Sequence, residues 1–175
     1  MFFTAFSLII LALTLYRNYA QDPGAHHRAK VLHALALALI VLLAAGSFAT
    51  VASQIRHFDS FREHYDVPFG PLPGVVNFLS ALLGGLFDLV LFLAAFAAAQ
   101  RKAKAIALIR VVLLASIPVA FINFHRGFGP GAGVADHTSI MIAVAVVLAV
   151  KLGLFLLYGT RWMKAFVAKV AMPNG

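Results

Sequence analysis

The chain has 175 residues, of which 62% are hydrophobic and only 11% are charged, and its mean hydropathy is +0.94. Soluble domains rarely have such a composition, so the chain is predicted to be an integral membrane protein. Because the chain has no cysteine, disulfides, thiolate zinc sites and cysteine-held iron–sulfur clusters are excluded. The net charge of +8 would favour nucleic-acid binding in a soluble protein, so its meaning depends on where the charges lie.

Five apolar segments follow one another along the chain: 2–16, 31–55, 75–99, 103–124 and 138–160. About twenty apolar residues span a bilayer as a helix, so the last four segments are long enough to cross. Segment 2–16 reaches only about 22 Å, and it would cross by thinning the bilayer or by recruiting residues 18–20. No Lys or Arg precedes it, which favours a retained helix over a signal peptide. The sequence predicts an all-α, five-helix membrane bundle, with 1–175 as a single membrane domain and no soluble domain.

Lys and Arg are distributed unevenly between the connecting segments. Nine lie in one alternate set: Arg17, Arg28, Lys30, Arg101, Lys102, Lys104, Arg161, Lys164 and Lys169. The other set has three: Arg56, Arg62 and Arg126. The positive-inside rule places the N-terminus outside, the C-terminus in the cytoplasm and the 56–73 and 125–137 loops outside a plasma or inner membrane. The positive charge therefore reflects topology, and the expected partner is the lipid bilayer rather than nucleic acid.

The segment after the second span carries aromatic residues at helical spacing, namely Phe58, Phe61 and Tyr65, with charged residues between them. This pattern predicts a short interfacial helix with its aromatic side towards lipid. A continuation of the second span would have the same pattern, and that alternative stays open. The prolines and glycines of 68–74 then predict an extended connection to the third span.

Four of the seven histidines lie in the predicted outer segments, near acidic residues: His57, His64, His125 and His137. Imidazole and carboxylate groups suit zinc, copper or iron, and two facing histidines suit haem. No HxH or HxxxH pair fixes two ligands on one element, so boundary residues are the alternative interpretation. A metal or haem at the outer face is thus a subordinate hypothesis. The other three, His26, His27 and His33, are predicted to contact the cytoplasmic membrane surface.

Small and polar residues recur on one face of the third span: Asn77, Ser80, Gly84 and Asp88. The second span has the same spacing in Gly46, Thr50, Ser53 and His57, and the fourth places Ser116 and Asn123 on one face. Small residues let helices approach closely, and hydroxyl groups can hydrogen-bond between them. The pattern predicts a polar seam between the second and third spans.

Three charged residues fall within the predicted spans. Counted from the cytoplasmic helix ends, Asp88 is about 16 Å deep, Lys151 about 14 Å and Arg110 about 10 Å. A carboxylate at such depth is costly unless it is protonated or paired, so Asp88 is a candidate functional residue. Lys151 is its predicted partner at matching depth. Arg110 is the second choice, since it is near enough to the cytoplasmic side to reach the interface.

These features support three hypotheses about function. The first is a non-catalytic accessory or scaffold subunit that associates with other membrane subunits or with itself. The second is a small transporter or proton- or ion-conducting protein that uses Asp88, Lys151, Asn77 and Ser80. The third is a haem, metal or quinone protein that uses the outer histidines. No sequence motif of an enzyme active site is present.

Overall fold

The computed structural model of the chain describes residues 2–21, 27–66, 73–100, 102–126, 137–161, 163–164 and 166–167. Within these ranges, side chains are described except at 46–54, 61, 64–65, 103, 123–126, 137–141 and 143. The regular structure of the described residues is helical throughout: α1 (Phe2–Ala20), α2 (His27–Arg56), α3 (Phe58–Tyr65), α4 (Gly74–Ala99), α5 (Ala103–Arg126) and α6 (His137–Gly159). The predicted all-α class is confirmed.

Four described helical stretches are long and apolar enough to cross a membrane: Phe2–Ala20, His27–Ala45, Gly74–Ala99 and Lys104–Ile122. In α6 the described apolar part is shorter, Val144–Gly159. These helices are compatible with a multi-pass membrane protein, as the composition predicted. The number of spans and their orientation remain predictions.

The first helix extends further than the apolar segment that predicted it. It continues to Ala20 and so includes residues 18–20, which raises its length to 19 residues, or about 28 Å. Tertiary contacts explain the extension, since the side-chain amide of Asn18 donates to the carbonyl oxygen of Ala99 at the end of α4. The Tyr19 ring also packs edge-on against Phe166.

The helices pack in a simple order. α4 lies between α2 and α5, while α6 packs against α5 and α1 packs mainly against α2. Alanines form much of the contact surface of α4, namely Ala94, Ala95, Ala98 and Ala99, all at most 2% exposed. Such small side chains let the neighbouring backbones approach closely. The predicted packing of the second span on the third is therefore seen, although the side chains at Gly46, Thr50 and Ser53 lie outside those described.

The segment after α2 forms a separate helix rather than a straight continuation. His57 leaves the helical conformation, with φ −124° and ψ 49°, before α3 begins at Phe58. The Phe58 ring packs edge-on against Phe78 of α4, with centroids 6.0 Å apart. At the other end of the connection, a Cβ on Gly74 would lie 2.7 Å from the backbone carbon of Asp66. The absence of a side chain at Gly74 thus allows α3 to end directly against the start of α4.

Candidate functional site

The polar residues at the beginning of α4 are buried and form a hydrogen bond within their own helix. Asn77 and Ser80 are both 4% exposed. The Ser80 hydroxyl donates to the carbonyl oxygen of Asn77 at 2.8 Å. On α5, Ser116 is also buried, and its hydroxyl donates to the Leu113 carbonyl at 2.8 Å. The hydroxyl protons of both serines are therefore used by helix carbonyls in this structure.

The two charged residues that the sequence paired, Asp88 and Lys151, are both at least partly buried. Lys151 on α6 is 8% exposed, and Asp88 on α4 is half-buried. The Lys151 ammonium group lies within range of Coulombic attraction to Asp88, and a direct ion pair stays a prediction. Both helices pack against α5. An ammonium group in an apolar interior needs a partner of opposite charge.

Arg110 points towards the end of α6 and not towards the middle of the bundle. Its guanidinium carbon lies 4.8 Å from the centroid of the Phe155 ring. The same group lies beside Gly159, the last residue of α6. The described contacts of its guanidinium group are thus with α6.

For most of the remaining sequence candidates, the side chain lies outside those that the structure describes. His57 is exposed between α2 and α3, while the side chains of Asn123, His64, His125 and His137 lie outside those described. Among the described residues there is no group of three His, Asp or Glu side chains that could hold a metal ion. The metal and haem hypothesis therefore stays a prediction.

His33 occupies a different environment from the predicted membrane surface. It is only 4% exposed, and its Nδ1 lies 3.3 Å from the Tyr158 hydroxyl. The ring is also hydrogen-bonded to the backbone of Ala98. The prediction of a surface contact is wrong for His33, because its side of α2 is the side that packs into the bundle. His27, the first residue of α2, is exposed.

Aromatic rings surround His33 at this end of the bundle. Tyr158 and Phe166 each meet the imidazole edge-on, with centroids 5.9 Å and 5.7 Å away. Tyr19 of α1 packs on Phe166, and its ring and backbone carbonyl contact the Lys30 ammonium group. We call Tyr19, His33, Tyr158 and Phe166 the aromatic cluster. It joins α1, α2, α6 and the segment after α6.

The segment after α6 was predicted only as a basic cytoplasmic tail, but part of it packs into the protein. Met163, Phe166 and Val167 are buried, whereas Lys164 is exposed. The alternation of apolar and basic residues in this stretch was a signal that sequence reasoning left unused. The helix pattern offered a second signal, since His33 shares a face with the buried Ala29, Leu37 and Ile40.

Lys151 and Tyr158 lie on one face of α6, seven residues or about 10 Å apart along the axis. The interior thus contains two charged residues near mid-bundle, Asp88 and Lys151, and a tyrosine–histidine pair near one end. Such groups can fix helix positions, and where water reaches them they can also exchange protons. Comparison of the chain with protein-family models, curated proteins and solved structures finds no match.

Proposed function

We propose that this chain is a five-span membrane protein, with its N-terminus outside, that serves as a non-catalytic accessory or scaffold subunit. The observation that carries the proposal is the contrast between the interior and the outer surface. Several polar groups of the described interior have partners within the protein, namely the hydroxyl groups of Ser80, Ser116 and Tyr158. Long apolar side chains of all five long helices are exposed at the surface.

Among the four long apolar stretches, α1 has the smallest share of buried residues. Three of its residues are buried, Ser7, Leu11 and Leu15. Large side chains on its other faces are exposed, including Phe6 at 62%, Leu13 at 64% and Tyr16 at 77%. Lipid can cover such a surface, and so can a neighbouring transmembrane helix. The proposal assigns part of this surface to a neighbouring subunit or a second copy of the chain.

Photo-crosslinking in native membranes tests this assignment directly. A photoreactive residue replacing Leu13 is expected to form an adduct with a protein, because that position faces outward. The same residue replacing Leu11, which is 2% exposed, is the matched control on the same helix and is expected to give no intermolecular adduct. If Leu13, Phe6, Val111 and Leu156 positions all yield lipid adducts alone, the accessory function is rejected.

The proposed orientation can be tested by labelling, because the natural chain has no cysteine to interfere. Ser60 is exposed on α3, and Gln21 and Gln100 are exposed directly after α1 and α4. On intact cells, a membrane-impermeant maleimide is expected to label Ser60→Cys but neither Gln21→Cys nor Gln100→Cys. Permeabilised cells should label all three. The reverse pattern on intact cells would invert the proposed topology.

The same proposal places α3 at the outer membrane surface. Its exposed charged residues, Asp59, Arg62 and Glu63, suit water and headgroups, and Arg62 Nε lies 3.8 Å from an Asp66 carboxylate oxygen. Phe58 is 46% exposed while it also contacts Phe78. A helix with one aromatic side and one charged side is typical of the interface.

A second candidate function, proton or ion conduction, is favoured by the partial exposure of Asp88. A carboxylate with some access, beside a buried ammonium group, can exchange a proton or bind a cation. This function requires a flux in proteoliposomes that Asp88→Asn abolishes while the protein stays folded. Proteoliposomes of the wild-type protein without any flux would reject it.

A further inference from the structure

The Arg110 side chain runs along the contact between α5 and α6 towards the helix ends. Arg110 is seven residues from the start of α5, or about 10 Å along the axis. Its Nη2, however, lies 3.3 Å from the position that a Cβ on Gly159 would take. Since α5 begins and α6 ends on the same side of the bundle, the guanidinium group reaches the level of the helix ends. Long basic side chains reach headgroups in this way.

Arg110 retains unused hydrogen-bonding capacity at this position. Its Nε is buried and has no hydrogen-bond partner among the described residues. Its contact with the Phe155 ring is a cation–π interaction, with the guanidinium carbon over the ring. A guanidinium group has five donors in a fixed fork that matches two phosphate oxygens. Because Nε is buried, the donors of Arg110 that can reach a phosphate are the N–H groups at Nη1 and Nη2.

The surroundings of Arg110 combine positive charge with exposed apolar surface. Lys104 and Arg161 are exposed near the same ends of α5 and α6. Further along the two helices, long apolar side chains are exposed: Val111, Leu152 and Leu156. A free phosphate would contact only the charged part of this surface. A phospholipid would contact both parts, and a net negative headgroup would gain from the additional cations.

From these observations we infer that α5 and α6 form a binding site for an anionic phospholipid, with the lipid phosphate held by Arg110. The missing side chain at Gly159 leaves room for the guanidinium group at the helix end. Phe155 holds the plane of that group, and the apolar side chains of both helices contact the acyl chains. This inference requires a membrane location but is independent of the accessory function.

The inference can be tested by thermal denaturation of the purified full-length protein in detergent. Phosphatidylglycerol is expected to raise the melting temperature more than phosphatidylcholine does, and inorganic phosphate is expected to leave it unchanged. In Arg110→Gln the apparent affinity for phosphatidylglycerol should fall about tenfold or more, because a charge-assisted hydrogen bond is lost. Arg17→Gln removes an equal charge at the exposed end of α1 and should retain the wild-type response.

A second variant keeps the test decisive if Arg110→Gln does not fold. Gly159→Ala retains the arginine but adds a methyl group 3.3 Å from its Nη2, so phosphatidylglycerol should bind more weakly than to the wild type. An equal response of Arg110→Gln and Arg17→Gln would overturn the inference. So would equal stabilisation by phosphatidylcholine, or stabilisation by inorganic phosphate that matches that of the lipid.

Discussion

Asp88→Asn is expected to lower the free energy of unfolding by about 3 kcal/mol, because it leaves the buried Lys151 ammonium group without its partner. Lys151 is 8% exposed, so little water can replace the lost carboxylate. Reversible unfolding in mixed micelles, with increasing sodium dodecyl sulfate, measures the loss. Asp59→Asn is the matched control, since it removes a carboxylate from an exposed position on α3.

The double variant Asp88→Asn with Lys151→Met is expected to recover most of that loss. Removing both members of a buried ion pair together is often neutral, whereas removing one leaves the other charge buried without a partner. The cycle formed by the wild type, the two single variants and the double variant therefore measures the coupling between the two charges. If the two single losses simply add in the double variant, the charges do not stabilise each other.

The same double variant separates the two candidate functions. Because it is expected to fold, any function that it loses depends on the charges and not on the bundle. An accessory subunit whose ion pair only positions helices should still associate with its partner in this variant. A proton- or ion-conducting protein would lose its flux in the same variant.

Tyr158→Ala is the second substitution with a large expected effect, a loss of about 3 kcal/mol of unfolding free energy. Tyr158 is fully buried and links α6 to His33 of α2, so its removal leaves a cavity within the aromatic cluster. The same unfolding titration in mixed micelles measures this loss.

Two further variants separate packing from hydrogen bonding in this prediction. Tyr158→Phe retains the ring and should cost only about 1 kcal/mol, the value of one hydroxyl hydrogen bond. Tyr16→Ala removes a tyrosine that is 77% exposed and should change the free energy of unfolding little. Equal losses for Tyr158→Ala and Tyr16→Ala would show that the aromatic cluster does not hold the helices together.

Helix positions could be predicted from the sequence because apolar segments are interrupted by charged or turn-forming residues. The third apolar segment, 75–99, differs from α4 by one residue at its start. The end of α1 could not be predicted in this way, since hydropathy falls after Tyr16 and the helix continues through tertiary contacts of Asn18 and Tyr19. Tertiary contacts of this kind are invisible to a hydropathy pattern.

The candidate site, too, could be predicted from the sequence only in part. Lys151 could be matched with Asp88 because axial depth follows from counting residues from the same end of each helix, and the ion pair itself stays a prediction. Depth alone could not reveal the aromatic cluster. His33 lies two turns from the start of α2, among basic residues in sequence, and only the packing of α6 and Phe166 makes its position an interior one.

The most direct test of the accessory function is the mass of the particle that contains this chain. A tagged chain, expressed at its natural level, would be extracted from its own membrane with a mild detergent and separated by blue-native electrophoresis. The proposal expects a particle that contains at least one further protein chain and that survives in the double variant of Asp88 and Lys151. A single 18.8 kDa chain surrounded only by detergent and lipid would contradict it.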